Sequence, residues 1–136
     1  MFENRVEADF AAAHFLRDYH GKCENLHGHN YKVYAHIRGT ELDEGGMLVD
    51  FSILKGALRK VCAVLDHTNL NDLTEDGKPV FMQNPSAERI AAWIFKKLRD
   101  ELKNSDLRQE GEKAAGMLYA VDVFETPGSR ARYTEP

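Results

Sequence analysis

The stretch HGHNYKVYAHI, residues 27–37, alternates at every second position between two sets of side chains. One parity carries His27, His29, Tyr31, Val33, Ala35 and Ile37, and the other carries Asn30, Lys32, Tyr34 and His36. Because successive side chains of a β-strand point to opposite faces, this pattern predicts a strand that begins near Leu26 and ends at Gly39. It also places His27 and His29 on the same face, with Gly28 turned away between them.

The preceding segment shows the same alternation. In this segment Phe2, Val6, Ala8, Phe10 and Ala12 share one parity, and Glu3, Arg5, Glu7 and Asp9 share the other. The pattern predicts a second half-buried strand. His14 continues the apolar parity of that strand. Residues 16–26 are polar and contain Gly21, so they are predicted to form a loop between the two strands.

Two helices are predicted after a polar connection at residues 40–46, with a short strand edge at Met47–Val49. In residues 51–65, apolar side chains recur every three or four positions behind a cap at Asp50 or Ser52. A second amphipathic helix is predicted to begin with Asn84 as the N-cap and Pro85 as its first residue. Residues 74–83 and 103–115 are predicted to be loops, the latter a mobile connection.

The chain is predicted to end in strands again, at 117–124 and 129–133, around a Pro127-Gly128-Ser129 turn. The order β-β-α-α-β-β favours an α+β fold, in which two helices cover one face of an antiparallel sheet. A length of 136 residues predicts one domain, residues 1–136.

Composition narrows the function classes. A hydrophobic share of 43% argues against disorder, and a net charge of −4 argues against nucleic-acid or anionic-membrane binding. The first residues lack the basic start and apolar stretch of a signal peptide. We therefore expect a soluble cytoplasmic protein.

Three histidines form a candidate metal site. If the first two strands pair, the imidazoles of His14, His27 and His29 converge on one face, and three imidazoles with an open fourth position are typical of catalytic Zn²⁺. Fe²⁺, Cu²⁺ and Ni²⁺ also accept imidazole ligands. An isolated His-x-His pair on a strand more often has no such role. His20, in the polar loop, and His36, on the opposite parity, are not assigned to the site.

The two cysteines differ in context. Cys62 lies on the apolar stripe of the first helix, which predicts an inert core thiol. Cys23 precedes His27 by four residues, and this spacing leaves two roles open. Its thiolate is either a fourth metal ligand that closes a structural site, or a free base or nucleophile with a lowered pKa.

Three further acid–base residues are candidates. Asp66 and His67 follow the first helix, where the pair can form a proton relay or simply end the helix favourably. Glu125 continues the apolar parity of its strand, and a buried carboxylate requires a partner. That partner is either a core arginine or a ligand that offers two parallel N–H donors.

Four motifs in order, together with His14, resemble the 6-pyruvoyl-tetrahydropterin and 6-carboxy-tetrahydropterin synthase family. They are CENLHGHNY at 23–31, LDHTNLN at 65–71, NPSAE at 84–88 and VFET at 123–126. The resemblance implies the tunnelling fold, a four-stranded antiparallel sheet with two helices on one side. It also implies that three subunits close a barrel, that two trimers stack into a homohexamer, and that active sites lie between subunits.

The resemblance also implies a role for each matching residue. His14, His27 and His29 match the zinc ligands, and Cys23 matches the catalytic base. Asp66 and His67 match the groups that activate the cysteine. Glu125 matches the glutamate that anchors the pterin ring, and Ser86 stands where the family often has threonine at the pterin pocket.

The spacing Cys-x-x-x-His-Gly-His resembles the bacterial 6-carboxy-tetrahydropterin synthases of queuosine biosynthesis. The implied reaction converts 7,8-dihydroneopterin triphosphate to 6-carboxy-tetrahydropterin, acetaldehyde and triphosphate. The triphosphate is a candidate ligand of Lys22, Arg130 or Arg132, although a solvated surface role is favoured for all three. Alternatives are 6-pyruvoyl-tetrahydropterin synthase activity, a cupin-like metal oxygenase, and a non-catalytic zinc module with a closed site of three histidines and a cysteine.

Overall fold

The computed structural model describes residues 1–17, 21 and 24–136 of the chain; His20, Lys22 and Cys23 lie outside the described residues. Strands and helices follow one another in the order β1 (Phe2–His14), β2 (His27–Gly39), α1 (Phe51–Leu65), β3 (Thr68–Asn69), β4 (Thr74–Glu75), β5 (Lys78–Pro79), α2 (Ala87–Lys103), α3 (Arg108–Met117), β6 (Leu118–Thr126) and β7 (Ser129–Thr134). The α+β class predicted from the sequence is confirmed. No helix among these is long and apolar enough to cross a bilayer.

Four long antiparallel strands form the main sheet, as predicted, and the two-residue β3 adds a parallel fifth strand at one edge. The strand order is β3-β1-β2-β6-β7. Strands β1 and β2 pair over their full length, from Phe2 opposite Gly39 to His14 opposite His27. Strand β6 joins β2 with Val33 opposite Val123. This register places the even residues of β1, the odd residues of β2, and Val121 and Val123 of β6 on one face. A bulge opposite His36 and Ile37 brings Leu118 onto the same face and leaves Tyr119 on the other.

Helices α1 and α2 pack against that face and bury their apolar stripes. The buried side chains of these helices are Leu54, Leu58, Val61, Cys62, Leu65, Ile90, Ala91, Ile94, Phe95, Leu98 and Leu102. Phe51, which the periodicity assigned to the buried stripe, is exposed because it occupies the first helical turn. Residues 47–49 form no strand, yet Leu48 and Val49 are buried as part of the core.

Three predictions for the connecting segments are wrong. Residues 74–79, predicted to be a loop, contain the short β4–β5 hairpin. The N-cap of α2 is Ser86, whose hydroxyl accepts a hydrogen bond from the Arg89 amide, and not Asn84. Residues 103–115 contain the helix α3 rather than only a loop. That helix buries Gly111, Ala114 and Ala115, whose small side chains give little hydrophobic periodicity to detect. A Cβ on Gly111 would lie 2.1 Å from the Leu102 carbonyl oxygen, so only glycine allows this approach to α2.

The opposite face of the sheet carries a buried ionic network. His36 and Asp122 are both buried, and the His36 Nε2 atom lies 2.7 Å from an Asp122 carboxylate oxygen. Arg132 donates two hydrogen bonds to the same carboxylate, at 2.7 and 2.9 Å. Burial raises the pKa of Asp122, but the hydrogen bonds from Arg132 and His36 outweigh it and hold that pKa below its usual range. The network ties β2, β6 and β7 together.

We expect Asp122→Asn to lower the free energy of unfolding by about 1.5–3 kcal/mol at pH 7, because charged hydrogen bonds in a buried site are lost. A depressed native pKa stabilises the fold above the unfolded pKa of about 3.9. The difference between wild type and variant should therefore stay constant above about pH 5 and shrink as the pH falls below about 4. Urea unfolding across this range measures it. Asp106→Asn, at an exposed position, is the control, and a pH-independent difference would contradict the prediction.

Candidate metal centre

The three histidines named from the sequence meet at one end of the β1–β2 pair. His14 and His27 lie directly opposite each other in the register, and His29 follows two residues later on the same face. The Nε2 atoms of His14 and His27 are 3.0 Å apart. One ring nitrogen from each of the three residues lies within 4.8 Å of the other two. The β-pairing alone therefore brings the three imidazoles together.

Backbone carbonyls orient two of the rings. The Nδ1 atom of His14 lies 2.8 Å from the Pro85 carbonyl oxygen, and that of His27 lies 2.7 Å from the Asn25 carbonyl oxygen. A carbonyl oxygen only accepts hydrogen bonds, so each Nδ1 carries the proton and each Nε2 presents a lone pair. Burial lowers the pKa of His14, against the opposing effects of Pro85 and Glu125, which favours the neutral ligand form. Metal-binding histidines ordinarily make such a hydrogen bond with the ring nitrogen that does not bind the metal.

The donor set fits a zinc ion. Two lone pairs that face each other at 3.0 Å repel unless a positive charge lies between them. The Nε2 atom of His29 is also buried and has no hydrogen-bond partner among the described residues. Neutral imidazole nitrogens clustered within 4.8 Å of one another are ligands that zinc accepts. His14, His27 and His29 could hold the ion and leave a fourth position open.

Glu125 lies beside the imidazoles. Its carboxylate oxygens are 3.6 Å from His14 Nε2 and 4.0 Å from His29 Nε2. The side chain is about a third exposed, and it opens into a cavity of about 400 Å³ that Ser86 also lines. Among the described residues no arginine lies against this carboxylate, and its ion-pair neighbours are the two histidines. Glu125 can therefore accept hydrogen bonds from a ligand in the cavity.

Asp66 and His67 form a hydrogen-bonded pair at the edge of the sheet. His67 Nδ1 lies 2.8 Å from Asp66 Oδ2, and the other Asp66 oxygen accepts a hydrogen bond from the Ala11 amide. The hydrogen bond from the Ala11 amide lowers the pKa of Asp66 below its usual range, and the bond with His67 lowers it further. The His67 side chain is 84% exposed and its φ is 57°, a conformation that side chains other than glycine rarely adopt. The backbone thus directs the imidazole outward into solvent, and no contact joins it to the three clustered imidazoles within the described residues.

Of the two cysteines, Cys23 lies outside the described residues. Cys62 is buried on α1, and burial raises the pKa of its thiol to about 12. Such a thiol stays protonated at neutral pH and is a poor nucleophile, as predicted from its place on the apolar stripe.

Two asparagines of the motifs have structural roles that the sequence did not reveal. The Asn71 side chain bonds both the amide and the carbonyl of Phe15, at 2.8 and 3.0 Å. The Asn84 side chain bonds the amide and the carbonyl of Arg17 in the same way, at 2.6 and 2.9 Å. These paired bonds fix the chain where it leaves His14. The only sequence signal for them was the position of both asparagines within motifs.

Arg130 and Arg132 line the same cavity as Glu125. The Arg132 guanidinium donates hydrogen bonds to Asp122. The Arg130 guanidinium lies 3.6 Å from the same carboxylate, and its side chain is half exposed. Arg132 is thus part of the ionic network around Asp122, whereas Arg130 is the more solvent-exposed of the two. Lys22 lies outside the described residues.

Comparisons with known proteins agree on one family. The family model described as 6-pyruvoyl tetrahydropterin synthase matches residues 3–136. A 6-carboxy-5,6,7,8-tetrahydropterin synthase of Synechocystis is 37% identical, over 96% of this chain and 91% of that protein. The enzyme of the same name from Bacillus subtilis is 36% identical, over 97% of this chain and 84% of that protein.

A solved structure also matches. The 6-pyruvoyl tetrahydropterin synthase of Caenorhabditis elegans superposes with a TM-score of 0.80 at 29% identity, covering 99% of this chain and 96% of that chain. This likeness confirms the tunnelling fold expected from the resemblance, with α3 and the short strands β3, β4 and β5 as additions to the expected elements. The chain therefore belongs to the 6-pyruvoyl tetrahydropterin synthase family, whose members are lyases.

Proposed function

We propose that this protein is a zinc-dependent 6-carboxy-5,6,7,8-tetrahydropterin synthase of the queuosine type. It would convert 7,8-dihydroneopterin triphosphate and one water molecule to 6-carboxy-tetrahydropterin, acetaldehyde and triphosphate. Curated relatives that carry this enzyme name and match over most of both chains support the proposal. Membership of the family argues against the cupin-like oxygenase considered from the sequence.

One observation supports the proposal most strongly. The carboxylate of Glu125 and the ring nitrogens of three histidines share a single site, within 3.6–4.0 Å for the two closest pairs. Glu125 also lines a cavity of about 400 Å³, within the range of small-molecule sites. An acceptor for the N–H edge of a pterin thus stands next to a position for a Lewis acid.

The mechanism assigns each residue a task. His14, His27 and His29 would hold the zinc ion, which would supply a Lewis acid for the oxygen atoms of the substrate side chain and make the attached protons more acidic. Glu125 accepts the 2-amino and N3 hydrogens of the pterin, which points the C6 side chain toward the imidazoles. Ser86 contributes its hydroxyl at the wall of the pterin pocket. Cys23 takes a proton from the side chain as general base.

The exposed Asp66–His67 pair is placed to contact a second subunit. Its imidazole points into solvent and is separate from the clustered histidines of its own chain. We propose that the pair activates the cysteine across a subunit interface in a homohexamer of two stacked trimers. The incompletely paired edge strand β1 and the edge strand β7 provide hydrogen-bonding groups for such a barrel.

Product analysis tests the proposed activity. The zinc-loaded protein is incubated with 7,8-dihydroneopterin triphosphate, and the products are identified by mass. 6-Carboxy-tetrahydropterin together with acetaldehyde would support the proposal. 6-Pyruvoyl-tetrahydropterin without acetaldehyde would instead support the second candidate, a 6-pyruvoyl-tetrahydropterin synthase, which the C. elegans structural neighbour favours. Absence of both products would contradict the proposal.

We expect Glu125→Gln to raise KM for the pterin substrate about 10- to 100-fold, because an amide offers one acceptor where the carboxylate offers two charged ones. Steady-state kinetics at constant zinc content measures this change. Glu75→Gln is a matched control, since the Glu75 carboxylate bonds Lys97 on the surface. An unchanged KM in the Glu125 variant would show that Glu125 does not bind the substrate.

A further inference from the structure

The hydroxyl group of Tyr31 is a polar group without a partner. Tyr31 is 0% exposed, and its hydroxyl makes no hydrogen bond to any described residue. Buried polar groups are nearly always hydrogen-bonded, and an unpaired one costs stability. The hydroxyls of Tyr34, Tyr119 and Tyr133, in contrast, each bond a glutamate.

Tyr31 is packed against the candidate metal centre. Its ring stacks on Phe10 of the neighbouring strand, with centroids 4.7 Å apart and planes 12° from parallel. The imidazoles of His29 and His14 meet the same ring nearly at right angles, with centroid distances of 5.4 and 5.9 Å. Burial raises the pKa of Tyr31, and the charge of Glu125 raises it further. The tyrosine therefore belongs to the surroundings of the imidazoles and Glu125.

The fold itself does not require the hydroxyl. Stacking on Phe10 and the contacts with the imidazoles use the ring alone, so phenylalanine would fill the same space. The Nδ1 atoms of His14 and His27 are bonded to carbonyls, and one nitrogen of each of the three imidazoles is directed at the shared metal position. A ligand that binds beside these imidazoles would supply the partner that the buried phenol lacks among the described residues.

We propose that the Tyr31 hydroxyl donates a hydrogen bond to a hydroxyl oxygen of the substrate's C6 side chain. This inference rests on the proposed function, in which Glu125 holds the pterin ring and the side chain reaches the imidazoles. Tyr31 then contributes to substrate specificity, because it favours pterins with a hydroxylated side chain over pterins without one. Its hydroxyl position is preset by the packing of the ring.

The test compares two pterins and two matched variants, all on zinc-loaded protein. Neopterin carries the hydroxylated side chain, and 6-methylpterin lacks it. In Tyr31→Phe we expect the affinity for neopterin to fall about three- to tenfold, the affinity for 6-methylpterin to stay unchanged, and zinc content to stay equal. The ligand-free variant should melt no lower than wild type, because an unpaired polar group has been removed. Tyr34→Phe removes a hydroxyl from the other face of the sheet and should leave both affinities unchanged.

Binding by fluorescence titration separates the outcomes. Equal neopterin affinity in wild type and Tyr31→Phe would overturn the inference. Equal losses of affinity for both pterins would also overturn it, since the hydroxyl would then not bond the C6 side chain. Wild-type protein that binds neither pterin would contradict the proposed function and with it the partner assigned to Tyr31. A lower melting temperature of the ligand-free variant would show that the hydroxyl has a partner within the folded protein.

Discussion

Replacing His27 by alanine is expected to weaken zinc binding at least about 100-fold and to reduce turnover to background. Loss of an outer-shell partner already costs about 10- to 100-fold in metal affinity, and a ligand contributes more. His27 is suited to the test because it is less buried than His14, which is 1% exposed, so its removal perturbs the core less. The circular dichroism spectrum should stay that of the wild type.

Zinc content after dialysis and a zinc titration against a chelating dye measure the loss. The matched control is His36→Gln, which changes a histidine of the same strand on the opposite face. That variant is expected to be less stable, because His36 bonds Asp122, but to retain its zinc. Full zinc content in His27→Ala would show that the clustered imidazoles are not the ligands, whereas zinc loss in both variants would point to general unfolding.

Cys23→Ala is expected to lower kcat about 10²- to 10⁴-fold while the protein keeps its zinc, its oligomeric state and its affinity for neopterin. The reason is the role proposed for the thiolate, which takes a proton but does not bind the metal. Measuring kcat and zinc content on the same sample separates the two roles left open by the sequence. Loss of zinc from this variant would identify Cys23 as a ligand and would favour a closed structural site.

Cys62→Ala is the control for this experiment. Cys62 is the other cysteine, buried on α1, with a thiol that stays protonated at neutral pH. Its replacement leaves a small cavity and lowers stability by about 1 kcal/mol, but kcat should change little. In the wild type, an alkylating reagent at neutral pH should modify Cys23 and leave Cys62 unmodified until the protein unfolds.

Local pattern was sufficient for most of the fold. Alternation identified the long strands, and spacings of three and four identified α1 and α2, because each pattern reflects one buried face. Helix α3 was missed since it buries glycine and alanine, which carry little hydrophobic signal, and its close contact with Leu102 depends on the neighbouring helix. The N-cap of α2 was placed at Asn84 because asparagine is a good cap; in the folded protein that side chain bonds Arg17 instead.

For the site, the sequence by itself determined which residues share a face: parity placed His14, His27, His29 and Glu125 on the helix-covered side of the sheet. Only the tertiary structure decided that the Pro85 and Asn25 carbonyls fix the imidazoles, that the His67 side chain points into solvent, and that the Tyr31 hydroxyl has no partner in the described part of the chain. Parity is a property of neighbouring residues in one strand, whereas a hydrogen-bond partner 71 residues away, as Pro85 is from His14, depends on how the whole chain packs.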